Sequence, residues 1–145
     1  MNLVDTNVWL ALALSKHVFH EAAGDWFAGQ SGRGSVLFCR STQQSFLRLL
    51  TTDKLMRLYD LSAMDNARAW ELYEGLLADA RIGWAAEARG VETIWKRLAA
   101  RQTASPKLWM DAYLAAFAIA GGHRLITTDK ALAQFRELEV AVLGG

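Results

Sequence analysis

Three aspartates stand where a carboxylate is costly to leave alone. Asp111 is the only charged residue between Lys107 and His123, in a run from Leu108 to Gly122 that is otherwise apolar on nearly every helical face. Asp5 ends the short apolar segment Asn2-Leu3-Val4, and Asp129 follows Leu125-Ile126-Thr127-Thr128 in the same way. An ionised carboxylate buried without compensation costs several kcal/mol, so such groups neutralise, pair with a cation or bind metal. Three acids without a companion His or Cys suit the hard cations Mg²⁺ and Mn²⁺ better than zinc. The chemistry this implies is phosphoryl transfer: a bound ion orients a phosphodiester, helps deprotonate an attacking water and stabilises the leaving oxygen, in the fullest form with two ions about 4 Å apart. The structural alternatives are an Asp111 paired with an arginine or capping a backbone group, and an Asp129 that only forms a turn.

The elements that must position these acids alternate along the chain as in an α/β domain with a largely parallel sheet. Strands are expected at 2–5, 35–39, 82–84, 124–127 and 138–143. Helices are expected at 7–14, 18–29, 43–51, from the Ser62 cap through Trp70 to about Ala78, at 90–102 and from Pro106 to Gly121, with a helical turn at 130–135. Ser41 and Thr42 read as N-caps of the third helix, Ser62 to Asp65 as a capping box, and Ser105-Pro106 as the start of the long helix that Gly121-Gly122 closes. Ligands gather at the carboxyl ends of parallel strands. If strands 2–5 and 124–127 are neighbours, Asp5 and Asp129 share one rim, and the long helix delivers Asp111 from its first two turns.

With 145 residues, 52% of them hydrophobic, the chain is sized for one domain, 1–145, with a full core. The single Cys39 excludes an internal disulfide and reads as a buried hydrophobe. No signal peptide or membrane span is evident, since the longest apolar run, 108–122, is too short for a bilayer; a cytoplasmic location is the expectation. A net charge of +1 argues against nucleic-acid binding by bulk charge, but the distribution is uneven. Residues 93–110 carry four bases, Lys96, Arg97, Arg101 and Lys107, and no acid; residues 26–52 carry Arg33, Arg40 and Arg48 and no acid. Beside an acidic metal site, Arg48 and the later four are candidate phosphate contacts. Trp26, Trp70 and Trp95 recur at core spacings and read as packing residues; Trp9 and Trp109 lie near the expected site and read as packing residues first, with contact to a base or a partner helix as the alternative. His17 and His20 have metal-compatible spacing but no third ligand in view, and read as a helix end.

The segments Leu3-Val4-Asp5-Thr6-Asn7-Val8, Trp109-Met110-Asp111-Ala112-Tyr113-Leu114-Ala115-Ala116 and Ile126-Thr127-Thr128-Asp129 resemble the three main motifs of PIN-domain ribonucleases. His17 to Ala23 before Trp26-Phe27, and Phe46 to Thr51, are similar to the VapC toxin branch. The resemblance implies a three-layer α/β/α sandwich around a central, mainly parallel five-stranded sheet. It also implies a Mg²⁺- or Mn²⁺-dependent endoribonuclease acting on RNA (a tRNA or ribosomal RNA), the toxin of a bacterial type II toxin–antitoxin pair, held by a cognate antitoxin and dimeric. Asp5 and Asp111 would be the main metal ligands and Asp129 would complete the cluster, directly or through water. Thr6, Asn7 and Thr127 would orient the carboxylates. Many PIN domains also carry a glutamate at the start of the helix after the second strand; Thr42-Gln43-Gln44-Ser45 stands there, with Ser45, or less readily Gln44, at that position. One or two ions are both compatible with the remaining acids.

Two other classes compete. An aspartate-based phosphatase or phosphotransfer domain would use Asp5 as nucleophile, but Asn7 stands where a second acid belongs. A catalytically weakened PIN-like module that only binds RNA or protein is motivated by the missing glutamate.

Overall fold

The central strands are apolar on both faces, as parallel strands covered on two sides must be. Val4, Val36, Phe38 and Ile126 join one buried cluster and Leu3, Leu37, Cys39 and Leu125 another, the two-residue period of a pleated strand sorting neighbours to opposite sides. The computed structural model describes residues 1–144; residue 145, last of the expected 1–145 unit, lies outside them. Strands β1 (Asn2–Val4), β2 (Val36–Phe38), β3 (Ile82–Trp84), β4 (Arg124–Thr127) and β5 (Val140–Val142) pair in the order β3-β2-β1-β4-β5. Every pairing is parallel.

Helices α1 (Thr6–Ala13), α2 (His20–Ala28), α3 (Arg40–Leu50), α4 (Asp53–Arg57) and α5 (Asn66–Leu77) cover the first cluster; α6 (Val91–Ala99) and α7 (Leu108–Gly121) cover the second, with a 3-10 helix at Lys130–Gln134. This is the expected three-layer sandwich. Trp9 of α1 is fully buried, its ring stacked on Phe38 at 3.8 Å and its indole N–H donating to the Val4 carbonyl at 3.1 Å. Truncating such a side chain costs about 3–5 kcal/mol. Trp9 is therefore a packing residue and reaches no ligand. At the sheet edge Gly83 passes Gly34 so closely that a Cβ there would lie 3.2 Å from the Gly34 backbone, which is why the edge strand carries a glycine.

Several boundaries differ from the sequence reading. Helix α3 starts at Arg40, because Thr42 turns its hydroxyl back to accept from the Cys39 N–H at 3.0 Å; Cys39, wholly buried, is the cap, and Ser41 and Thr42 lie inside the helix. Asp65 caps α5 by accepting from the Arg68 N–H at 2.8 Å, so Ser62 is not the capping residue. Helix α2 starts at His20, after a turn in which the Phe19 N–H donates to His17 Nδ1 and His20 Nδ1 meets the Ala11 carbonyl. Both histidines are thus occupied locally. Helix α6 stops at Ala99, leaving Arg101 outside it. Helix α7 starts two residues later than expected, with Lys107 in the cap position, and ends as expected at Gly122, whose φ of 68° favours glycine. Among the described residues no helix is long and apolar enough to cross a membrane.

Candidate functional site

Strands β1 and β4 are neighbours in register, Val4 beside Ile126, and the Asp5 N–H donates to the Ile126 carbonyl at 2.9 Å. The adjacency on which the site depends is therefore present. Asp5 caps α1: its Oδ1 accepts from the Thr6 backbone N–H at 2.8 Å and its Oδ2 from the Thr127 hydroxyl at 2.7 Å. Thr127 is completely buried, and its oxygen also accepts from the Asp129 N–H at 3.0 Å. One hydroxyl thus ties together the acids that end the two central strands. Asp129 in turn caps the 3-10 helix, accepting from the Ala131 N–H at 2.9 Å. Asp111 lies in the first turn of α7. All three carboxylates sit at the positive ends of helices, which offsets part of the cost of bringing like charges together.

Lys107, grouped by sequence with the phosphate-binding bases, lies in the acid cluster instead. Its ammonium is 3.1 Å from Asp129 Oδ2 and 3.6 Å from Asp111 Oδ2. Because α7 begins at Leu108, Lys107 precedes Asp111 by one turn and reaches across to Asp129. Its own stem stays largely exposed.

The electrostatics separate the three acids. Burial pushes Asp5 above the ordinary aspartate range, against the hydrogen bonds from Thr127 and Thr6, and the charges of Asp111 and Asp129 add to the rise. Burial likewise raises Asp111, with Lys107 opposing and Asp129 reinforcing. Asp129 moves the other way, held down first by the Ala131 N–H and then by Lys107. The acids feel one another, yet among the described residues no three His, Cys, Asp or Glu side chains converge tightly enough to hold one ion by themselves. The donor set is all oxygen, and an ammonium already stands between two of its members, so the residues fit a divalent cation.

Asp5 and Asp111 open on the same pocket of about 180 Å³, with Thr6, Ser41, Thr42, Ser45, Arg48, Leu49, Met110 and Leu114. Ser45 lines the pocket and Gln44 is exposed outside it, so the position that would carry a fourth carboxylate holds a hydroxyl. Asp129 is not in the lining and joins the site through Thr127 and Lys107. Asn7 is exposed and also outside the lining, and Thr6 contributes its backbone N–H to Asp5. Of the expected phosphate-binding bases, Arg48 stands at the pocket mouth. Arg97 is paired with Glu137 at 2.8 Å and Arg101 with Gln134 at 3.2 Å, both on the surface, while Lys96 lines a separate groove beside Trp95 and Trp109. Ser41, Thr42 and Met110 went unnoticed in the sequence as pocket residues; only the true start of α3 would have shown Ser41 and Thr42 on the turn facing Asp5.

A profile of the PIN domain matches residues 3–138. The chain is 49% identical over 144 residues to Ribonuclease VapC41 of Mycobacterium tuberculosis, covering 99% of each. It is 30% identical over 137 residues to Ribonuclease VapC44 of the same organism, covering 90% of this chain and 87% of that one. Among solved structures it resembles Mycobacterium tuberculosis VapC20, described as a sarcin–ricin loop cleaving toxin, with a TM-score of 0.65 at 17% identity over 96% of this chain and 99% of that one. The sheet order, the rim that joins Asp5 to Asp129 and these likenesses agree, and the chain belongs to the PIN-domain family, in its VapC ribonuclease branch.

Proposed function

We propose that this protein is a Mg²⁺- or Mn²⁺-dependent endoribonuclease, the toxin of a type II toxin–antitoxin pair, folded as one nuclease domain over 1–145 and acting in the cytoplasm. The observation that carries the reading is the shared pocket of Asp5 and Asp111, tied through Thr127 to Asp129, with the Lys107 ammonium lying where a cation is wanted. Asp5 and Asp111 would hold the ion, with Asp129 joining directly or through water. Bound there, a divalent ion supplies charge stabilisation for the phosphodiester and for the leaving oxygen.

The chain's own groups do the rest. Thr127 and the Thr6 N–H fix both oxygens of Asp5, so that carboxylate is preorganised. Arg48 at the mouth faces an incoming phosphate, and Lys107, once its place between the acids is taken, has the reach to meet another. Water is the nucleophile and no covalent enzyme intermediate forms. Exposed Trp70 lines a groove of about 240 Å³ with Leu47 and Arg48, and with the exposed Leu58 and Leu61 it offers apolar surface for an antitoxin segment or a second copy in a homodimer.

The test is incubation of the purified protein and its Asp5→Asn variant with total bacterial RNA, with Mg²⁺ or Mn²⁺ and with EDTA, followed by mapping of new 5′ ends. Discrete cuts lost with EDTA and in the variant are expected. Cuts that persist in the variant would remove the mechanism. A second reading, a module that binds RNA or protein without cleaving, is favoured by Ser45 at the glutamate position; metal binding by calorimetry without any cut would make it the better one.

A further inference from the structure

Beyond the acid pocket the surface continues along α6 and α7. Ser41 and Met110 line both the acid pocket and a neighbouring one of about 170 Å³, whose other walls are Trp95, Trp109 and Tyr113. Trp95 and Trp109 in turn line a wider groove of about 490 Å³ that ends at Lys96 and Glu92. One track therefore runs from the carboxylates past Met110 to an aromatic corner. Two of its members are unusually exposed for their type, Trp109 at 54% and Met110 at 66%, while Trp95 and Tyr113 are half-buried.

The corner is held by one hydrogen bond and two ring contacts. The Trp95 indole N–H donates to the Trp109 carbonyl at 2.9 Å, and the Trp95 ring stands edge-on to both Trp109, at 79° and 6.2 Å, and Tyr113, at 81° and 5.4 Å. A perpendicular pair sets the edge of one ring on one face of the other, and Trp109, more than half exposed, keeps much of its ring surface open to solvent. An indole face fixed in place is a platform on which a nucleobase stacks with little further ordering, and such stacking tolerates any base because every base has a π-face.

We infer that the corner formed by Trp95, Trp109, Met110 and Tyr113 is a base-stacking subsite for single-stranded RNA, which seats the unpaired nucleotides next to the bond cleaved in the acid pocket. The inference rests on the ribonuclease reading above. Continuity with the pocket favours RNA over a protein occupant, since Ser41 and Met110 line both cavities and a strand whose phosphate lies at Asp5 and Asp111 has a path past Met110 to the aromatic rings. The cations agree with it: Arg48 stands at the pocket and Lys96 at the far end of the groove. The apolar face of Leu58, Leu61 and Trp70 belongs to the α4–α5 part of the surface and is left for a protein partner.

The experiment measures binding of a labelled single-stranded oligoribonucleotide by anisotropy in the cleavage-deficient Asp5→Asn background, with Trp109→Ala and Trp109→Phe added singly. Trp109→Ala is expected to weaken binding about tenfold or more and Trp109→Phe far less. The loss should be equal at every salt concentration, whereas Lys96→Ala should flatten the salt dependence by about 0.7 in the log–log slope. Mn²⁺ affinity by calorimetry stays unchanged when Trp109→Ala is made alone in the otherwise wild-type chain, with Asp5 intact, which separates the subsite from a disturbed fold. Unaltered RNA affinity in Trp109→Ala overturns the subsite, as does a shift of that variant from dimer to monomer in sedimentation, which would make the corner a contact between copies. Wild-type protein that cleaves RNA while Trp109→Ala binds normally sinks the subsite alone. Weakened binding in Trp109→Ala with no cleavage by wild type would sink the nuclease reading and keep the subsite.

Discussion

Asp5 and Asp129 end neighbouring strands, share one hydroxyl and are nevertheless held in opposite ways. Asp5 is surrounded by neutral donors, and burial lifts its carboxyl above the ordinary range. Asp129 lies nearer the surface, under a backbone N–H and a lysine, and sits below that range. Hydrogen bonds alone did not lower Asp5, because neutral donors return only part of the solvation that burial removes; a full counter-charge is still wanted there. A protein that needed only a capped helix and a tight turn would have no use for that difference. A site waiting for a cation would.

The largest expected effect comes from cutting the link between the two acids. Thr127→Val keeps the shape but leaves Asp5 Oδ2 and the Asp129 N–H unpaired in the interior, so stability should fall by about 1–3 kcal/mol in denaturant melts. A variant as stable as wild type would mean that water replaces the hydroxyl and that the bridge matters little.

The next effect has opposite signs at the two acids. Without metal, Asp5→Asn should raise stability by on the order of 1 kcal/mol, because a buried charge is removed. Asp129→Asn keeps its capping ability and loses only a half-exposed pairing, a decrease of about 0.5 kcal/mol. The pH dependence follows the same division. Asp5 and Asp111, with raised values, hold protons in the folded chain that the unfolded chain has released, so their contribution falls as pH climbs from the ordinary aspartate value through the raised ones. Asp129, with a depressed value, contributes above the ordinary value and loses that as pH falls through its own. Metal-free melts from acid to neutral pH should therefore show a decline above the ordinary value that shrinks in Asp5→Asn and disappears with saturating Mg²⁺. A decline that survives both changes would place its origin elsewhere.

The smallest effect concerns the ammonium. Lys107→Ala should strengthen Mg²⁺ binding a few-fold at neutral pH, since the competing cation is gone, and should raise Asp111 further. Calorimetry that finds weaker binding would show that Lys107 supports the ion instead of giving way to it.

The three acids and the strands that carry two of them were legible from residue type and position, because buried strands and a glycine-closed helix leave strong periodic marks; the adjacency of those strands was only a condition there, and the role of Thr127 came from the family resemblance. Helix α4, only five residues long, left none and went unnoticed. Lys107 was grouped by charge with the bases of 93–110, and its reach to Asp111 and Asp129 was hidden because Ser105-Pro106 looks like a helix start, whereas a shift of two residues carries a side chain about halfway round a helix. Trp70 was read as packing at a core spacing, yet it is 47% exposed. Spacing locates a stripe but not which flank of it a neighbour covers.

The bond from Thr127 to Asp5 spans 122 residues of chain. At roughly 5–20 residues per second, the interval between emergence of the first aspartate and of its clasp is on the order of ten seconds, during which the nascent chain has no closed acid cluster. The acid rim is thus among the last parts of the fold that synthesis completes, since β1 emerges long before the neighbouring strand whose threonine orders its terminal aspartate.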